Sequence, residues 1–553
     1  MLKKTFAGLL VAGTAWGLFS FTSGTNERYF DIAKNLDIFA TLFKEVNTYY
    51  VDDVAPSKLV RTGIDAMLKS LDPYTNYIPE DDIEDFRTMT TGQYGGIGAL
   101  VGKREGRTII SLPHEGSPAQ KAGLIIGDEI LKIDGVDLSK KNDNEVSKLL
   151  KGQAGTVVKL EIKRFGQDKP MMIDVTRANI QINNVPYYGM VTSDIGYLQL
   201  SGFTVDAGRE VRSAVAKLKE QGAKKIILDL RDNPGGLLNE AVNISNLFLP
   251  RGKDIVSTKS KVTDWNKMYK ALDEPLDVQV PLAVLTSSNS ASAAEIVAGA
   301  LQDYDRAVLI GERTFGKGLV QMTRPLSYNS QLKVTTAKYY IPSGRCIQAI
   351  DYAHRAADGS LHKTPDSLRV AFKTANGRVV YDGGGISPDL EVKDQSVPDI
   401  IRKLVSKNYI FDYATRFRAA NPTIGAAKDF RLSDAEYQKF VAYLNGKDIS
   451  YSTDVEKALD NMVAKAKEDK HYEEVKADIE QIRKKVATNK SNDLVRFKAE
   501  ITELLEQEIV SRYYLQKGLV ESTFNDDKNI LAAVEVLNNP DKYQTLLTVS
   551  AKK

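Results

Sequence analysis

Three short stretches of the chain carry residue types that could do chemistry. The first starts in an apolar, β-branched run, Leu282–Thr286, and passes through Ser287-Ser288-Asn289-Ser290-Ala291-Ser292 into Ala293-Ala294-Glu295-Ile296. A serine at a strand-to-helix turn exposes its hydroxyl, and the free backbone N–H groups of the helix start behind it can stabilise a developing oxyanion. Helix capping uses the same residue types, since serine and asparagine are favoured N-caps. The second stretch follows Ile226–Leu230 and reads Arg231-Asp232-Asn233-Pro234-Gly235-Gly236. Two glycines after a strand let backbone N–H groups approach a ligand closely, although an ordinary turn has the same composition. The third is Gly311-Glu312-Arg313-Thr314-Phe315-Gly316-Lys317-Gly318, with Gln321 four residues beyond the lysine. A lysine between glycines and next to Phe315 could be desolvated and so deprotonated. A phosphate loop of the form Gly-x-x-x-x-Gly-Lys-Ser/Thr is disfavoured, because Gly318 stands where the hydroxyl residue belongs.

Composition narrows the remaining chemistry. Among 553 residues, 75 basic and 72 acidic side chains leave a net charge of +3, with no long basic run, so nucleic acid is not the expected ligand. Cys346 stands alone, which excludes an intramolecular disulfide and a thiolate-rich metal site. His114, His354, His362 and His471 show no metal-ligand spacing, and no metal or organic cofactor is expected. Residues 1–26 carry Lys3 and Lys4, then no charge before Glu27, around an apolar stretch from Phe6 to Phe21. This predicts a secretory signal or an uncleaved membrane anchor, and hence work outside the cytoplasm, in the periplasm or cell envelope.

Four regions must position these stretches. Residues 27–90 read as helical, with Ile32, Leu36, Phe39, Leu42, Phe43 and Val46 three or four apart and a second helix, Ser57–Leu71, stopped at Asp72-Pro73. Residues 91–180 change to short β runs (Thr108–Leu112, Glu129–Ile133, Val157–Lys163, Met171–Val175) with helical Ser117–Ala122 and Asn144–Leu150, which predicts one compact β module. Between 181 and 393, strands Ile195–Leu200, Ile226–Leu230, Leu282–Thr286 and Ala307–Ile310 alternate with helices Ala207–Gln221, Asn239–Leu247 and Ala293–Tyr304, an α/β order. Residues 394–553 read as amphipathic helices, marked by Val475, Ile479, Ile482 and Val486 and by Leu494, Phe497, Ile501, Leu504 and Ile509. Their apolar faces suit intrachain core better than a partner surface, and leave a homo-oligomer or adaptor contact open.

Taken together and in order, the three stretches resemble the carboxyl-terminal processing (tail-specific) serine peptidase family. Its motifs are a strand with Asn-Pro-Gly-Gly, a Ser-Ala-Ser-Ala-x-Glu-Ile turn, and Thr-Phe-Gly-Lys-Gly-x-x-x-Gln. The resemblance implies Ser292, not Ser290, as nucleophile, Lys317 as general base, and Gln321 as the residue that orients the lysine. It implies oxyanion donors from the backbone N–H of Ala293 and of Gly235 or Gly236, a choice the sequence leaves open. It spans roughly residues 40–392, through Leu71-Asp72-Pro73-Tyr74-Thr75, Tyr339-Tyr340-Ile341-Pro342-Ser343-Gly344-Arg345 and Gly383-Gly384-Gly385-Ile386-Ser387-Pro388-Asp389. Cys346 falls where many members have serine, and reads as a packing position.

In that family the β module is a PDZ domain, and Tyr94-Gly95-Gly96-Ile97-Gly98 resembles its carboxylate-binding loop, with an apolar pocket near Ile97 for the last side chain. The implied fold class is multidomain α/β: a helical N-terminal region, a PDZ β module, a crotonase/Clp-protease-like α/β peptidase core and a helical C-terminal extension. The implied activity is an exported serine endopeptidase that hydrolyses peptide bonds in proteins recognised by their C-terminal tails, the PDZ module either delivering the tail or gating the site. Two alternatives are a PDZ-type peptide-binding scaffold with a silent core and a crotonase-like acyl-transfer enzyme, and the latter lacks any evident coenzyme-binding element. A charge-assisted hydrogen bond contributes about 1.5–3 kcal/mol. Capping a model peptide as its C-terminal amide should therefore weaken binding roughly 10- to 100-fold, as should Gly96→Val; equal affinity for acid and amide in a titration would remove tail recognition.

Overall fold

A computed structural model of the chain describes residues 28–355, 359–393 and 397–548. The expected export segment, 1–26, lies outside them. The chain divides into two compact units, Met1–Tyr77 and Ile78–Lys553. In the first unit, residues 28–49 form one helix and Pro56–Lys69 a second, which begins on a proline that is tolerated where no helical N–H bond is needed. Beyond its end, Asp72 accepts hydrogen bonds from the N–H groups of Tyr74 and Thr75, both at 2.8 Å, and this local turn takes the place of further helix.

The β module opens the second unit. Its strands pair antiparallel in the order Ala99–Arg104, Arg107–Pro113, Glu129–Ile133, Val157–Lys163, Met171–Thr176. Strand alternation places Val158, Leu160 and Ile162 inside and Val157, Lys159 and Lys163 outside. The helix Asp143–Leu150 is started by a capping box between Asn142 and Glu145 and packs beside Ala99–Arg104, the edge strand of the sheet.

The α/β core is a sheet in which spatial order follows chain order: Tyr187–Met190, Ile195–Gln199, Lys225–Asp229, Leu282–Thr286, Val308–Gly311, Leu390–Glu391. The first pair is antiparallel and the rest are parallel. A sheet that winds in one direction with right-handed crossovers puts all its crossover helices on one face. The helices Ala207–Glu220, Leu238–Phe248 and Ala293–Asp303 accordingly bury Leu198, Ile226, Leu228, Val284 and Leu309 in a single cluster. The opposite face, with Ile195, Tyr197, Ile227, Leu285 and Ile310, needs another cover. That cover comes from the C-terminal extension: Val520 and Phe524, then Ile530, Ala533 and Val536 of helix Lys528–Asn538, then Tyr543 and Leu547 of Pro540–Thr548.

The extension is therefore two things at once. Its last helices complete the sandwich of the core, and its earlier ones build a core of their own around Leu404, Tyr413, Phe440, Ile501 and Leu505. This second body meets the β module where Phe411 packs on Ile109 and Ile126, with the Arg104 and Arg512 guanidinium groups 4.1 and 4.5 Å from the Phe411 ring centroid. A further antiparallel sheet joins Leu319–Pro325, Gln331–Tyr340, Asp254–Ser260 and Lys267–Lys270 in that order. Sequence patterning passes over it because most of its residues are half-buried or exposed and give no apolar alternation. Among the described residues no helix is long and apolar enough to cross a membrane. Ile530 is fully buried, so Ile530→Ala should cost about 2–5 kcal/mol and lower the Tm of the whole peptidase core; an unchanged Tm would mean the extension is not part of that core.

Candidate active site

The three stretches singled out above converge. Leu282–Thr286 is buried along its whole length and feeds a turn pinned from within by Ser290. The Ser290 hydroxyl donates to Leu230 O at 2.7 Å and accepts from Ser287 N at 2.9 Å, which leaves it inside the structure at 1% exposure. Ser292, two residues on, is half-buried at the start of helix Ala293–Asp303 with φ 57° and ψ −115°. A non-glycine residue held there costs on the order of 1–3 kcal/mol, so its surroundings must over-determine it.

They do so from two sides. On the first side, Ala291 N donates to Asn233 O at 2.9 Å. Asn233 is fully buried, and its side chain donates to Leu200 O at 2.6 Å and accepts from Gly235 N at 2.9 Å. Gly235 has φ +96°, and a Cβ there would lie 2.7 Å from Ala291 O and 2.8 Å from Ser292 Cβ, so only glycine lets this loop press against the serine turn. The sequence left the choice between the two glycines open. The Gly235 N–H is taken by Asn233, whereas those of Gly236 and Ala293 make no hydrogen bond among the described residues.

On the second side stands Glu295, fully buried one helical turn after Ser292. Its Oε2 accepts from Ser292 N at 2.9 Å and Lys317 N at 2.8 Å, and its Oε1 accepts from Gly316 N at 2.8 Å and the Thr314 hydroxyl at 2.5 Å. Tyr339 adds a second tie: its hydroxyl lies 2.6 Å from Lys317 O and 3.1 Å from Ser292 O. Ser292, Ala293, Gly236, Lys317 and Gln321 line one cleft of about 660 Å³, walled in part by the helix Ile83–Thr91. The Gln321 amide donates to Thr335 Oγ1 at 3.1 Å. Phe315, expected to shield the lysine, is 41% exposed, and its N–H donates to Ser290 O at 3.0 Å. Cys346 is half-buried and burial pushes its thiol up, in keeping with a packing position.

Comparison with known proteins shows the family and the domains. Residues 194–353 match the family described as Peptidase family S41, residues 109–164 a PDZ domain, and residues 400–537 the C-terminal helical domain of a probable PDZ-protease. A carboxy-terminal-processing protease of Bartonella bacilliformis is 41% identical over 357 residues, 63% of this chain and 81% of that protein. The chain belongs to peptidase family S41. The carboxy-terminal processing protease CtpA of Bacillus subtilis is 34% identical over 352 residues, 63% of this chain and 75% of that protein. Among solved structures, a photosystem II D1 C-terminal processing protease is 27% identical, covers 65% of this chain and 93% of its own, and superposes with a TM-score of 0.35. The chain is thus a protease with a PDZ domain and a helical C-terminal domain.

The PDZ domain of this S41 peptidase refines the expected peptide loop. Tyr94, Gly95 and Gly96 lie in a strand paired antiparallel with Ala178–Gln181. Beyond them, the carbonyls of Ile97 and Gly98 accept from Ala119 N (2.8 Å) and His114 N (2.9 Å), while the N–H groups of Ile97 and Gly98 have no partner among the described residues. The Ile97 side chain is 2% exposed in the domain core, and Leu100 on the edge strand is exposed.

Sequence reasoning missed the work of Glu295, Tyr339 and Arg231. Ser-x-x-Glu before an apolar run reads as a capping box, and that reading hides the three donors that come from another loop. Arg231 chelates Asp229 and reaches Asp527 at 2.7 Å, the cap of helix Lys528–Asn538, which ties the C-terminal domain to the loop bearing Gly235 and Gly236.

Burial pushes the Glu295 carboxyl from 4.5 up to about 7, and its hydrogen bonds act in the opposite direction. With the folded value above the ordinary one, this group's contribution to stability is present below about pH 4.5 and is lost as pH rises through about 7. Wild type should therefore gain about 2–3 kcal/mol over Glu295→Gln between pH 8 and pH 5, measured by denaturant unfolding. The amide also sets its own N–H against two donors, at about 1–3 kcal/mol for each one left unmet, and turnover should fall about 10-fold or more. A Glu295→Gln enzyme with full turnover and a parallel pH–stability curve would contradict both effects.

Proposed function

We propose that this S41 peptidase is a serine endopeptidase working through a Ser292/Lys317 dyad. Ser292 Oγ attacks the scissile carbonyl as its proton passes to the unprotonated Lys317 amine, and the N–H groups of Ala293 and Gly236 hold the oxyanion. Collapse of the tetrahedral adduct breaks the C–N bond, and the leaving amine takes the proton back from Lys317. Water, deprotonated by the same lysine, then releases the acyl group from Ser292, with Gln321 orienting the base. The observation that carries this reading is the shared frame: Glu295 binds the backbone N–H of both Ser292 and Lys317, and Tyr339 lies between their carbonyls. The buried, doubly bonded Ser290 is unsuited to attack.

Substrates are proteins presented by their C-terminal tails, with the free N–H groups of Ile97 and Gly98 taking the terminal carboxylate. The names of the carboxy-terminal-processing relatives support this choice. The apolar N-terminal segment supports work outside the cytoplasm, and cell fractionation would test it. For the dyad, Ser292→Ala should abolish proteolysis and labelling by an acylating serine probe while tail peptides still bind. Lys317→Arg should be equally inactive, since arginine does not act as a base. An active Lys317→Arg enzyme, or inactivation by Ser290→Ala in a protein that remains folded while Ser292→Ala stays active, would overturn the assignment.

A further inference from the structure

One wall of the cleft is the antiparallel pair Leu319–Pro325 and Gln331–Tyr340. Among the described residues that line the cleft there is no carboxylate, and two are lysines. Lys317 belongs to the dyad. Lys333 does not: it sits opposite Thr323, one same-face step beyond the Gln321↔Thr335 pair and six residues along the strand from Tyr339. Six residues of extended strand span roughly 20 Å, and a bound extended peptide covers the same distance with a similar number of residues.

Lys333 is half-buried, and its ammonium makes no ion pair or hydrogen bond among the described residues. Burial holds it below the usual lysine value, and no neighbouring carboxylate offsets that. Other partly shielded lysines of this chain are compensated: Lys225 by Asp194, Lys403 by Asp448, Lys490 by Glu456. A partly desolvated cation without a partner is costly, and a ligand that brings an anion recovers that cost. The strand around it has the form of a peptide-binding wall.

We propose that Lys333 forms an anion-recognising subsite of the cleft that takes a carboxylate of the substrate about four to six residues from the scissile bond. The proposal rests on the reading that Ser292 is where the chain cuts. The carboxylate comes either from an Asp or Glu side chain or from the substrate's own C-terminus, and the two sources can be separated.

The test uses the full chain and quenched fluorescent peptides of one neutral sequence, with Glu or Gln placed in turn at each position within about eight residues of the cleavage point. Each is made as free acid and as C-terminal amide. Wild type should favour one Glu peptide over its Gln twin by roughly 10- to 100-fold in kcat/KM, mostly through KM. Lys333→Met should bring that ratio close to one, Lys333→Arg should keep it, and Lys333→Glu should reverse it in favour of a Lys-bearing peptide. If Lys333→Met changes the acid/amide ratio and not the Glu/Gln ratio, the terminal carboxylate is the source. Ratios unchanged by Lys333→Met in a protein of normal Tm would overturn the proposal. Binding of the same peptides to Ser292→Ala, followed by fluorescence anisotropy, reads the preference without cleavage, so failure of the dyad and failure of the subsite give different results.

Discussion

Glu295 has no access to solvent and receives four donors, two on each oxygen. One donor is the N–H of Ser292; the other three come from Thr314, Gly316 and Lys317. Stripping a carboxylate of water is expensive, and the four hydrogen bonds offset only part of the expense, so the carboxyl is still pushed up to about 7. The same condition fixes the geometry around it, since moving either loop leaves a buried donor or acceptor unmet. Ser292 can then stay in a strained backbone conformation, and Lys317 stays beside it. The frame that holds Ser292 and Lys317 in register depends on this one buried carboxyl group.

A second dependence follows from the direction in which the core sheet winds. Sequential parallel strands place every crossover helix on one face, so the other face of the sheet is apolar and must be covered from elsewhere in the chain. The helices around Ile530 and Tyr543 supply that cover, and Asp527, at the start of the first of them, also holds Arg231. The extension thus bears on the loop that carries Gly235 and Gly236 through packing and through an ion pair shielded from solvent. At its other end the same extension clasps the PDZ domain through Phe411. Peptidase core and PDZ domain are thereby both fastened to one helical body.

Four backbone N–H groups that the proposed function uses have no partner among the described residues. Two are near Ser292, at Ala293 and Gly236, and two lie just before the edge strand of the PDZ domain, at Ile97 and Gly98. Each pair is exposed by a close approach that a side chain would block: a Cβ at Gly236 would meet Phe203 O at 2.4 Å, and one at Gly98 would meet Ser117 Cβ at 2.5 Å. The glycines therefore do more than turn the chain; they keep hydrogen-bonding capacity free where protein packing would otherwise take it.

The element types, their order and the motif residues Ser292, Lys317 and the paired glycines were legible from sequence, because strand alternation, helical spacing and turn chemistry are local and repeat within a few residues. Choosing between Gly235 and Gly236 was not, since it turns on whether the Asn233 side chain folds back on its own loop. The roles of Tyr339 and of Arg231 were not legible either. Arg231 finds Asp527 across 296 positions of chain, and Tyr339 reaches Ser292 and Lys317 from a strand whose mixed exposure gives no periodic signal. Sequence determined which groups could react. Tertiary structure decided which of their hydrogen-bonding partners were already taken, because that depends on contacts between segments whose separation along the chain carries no pattern.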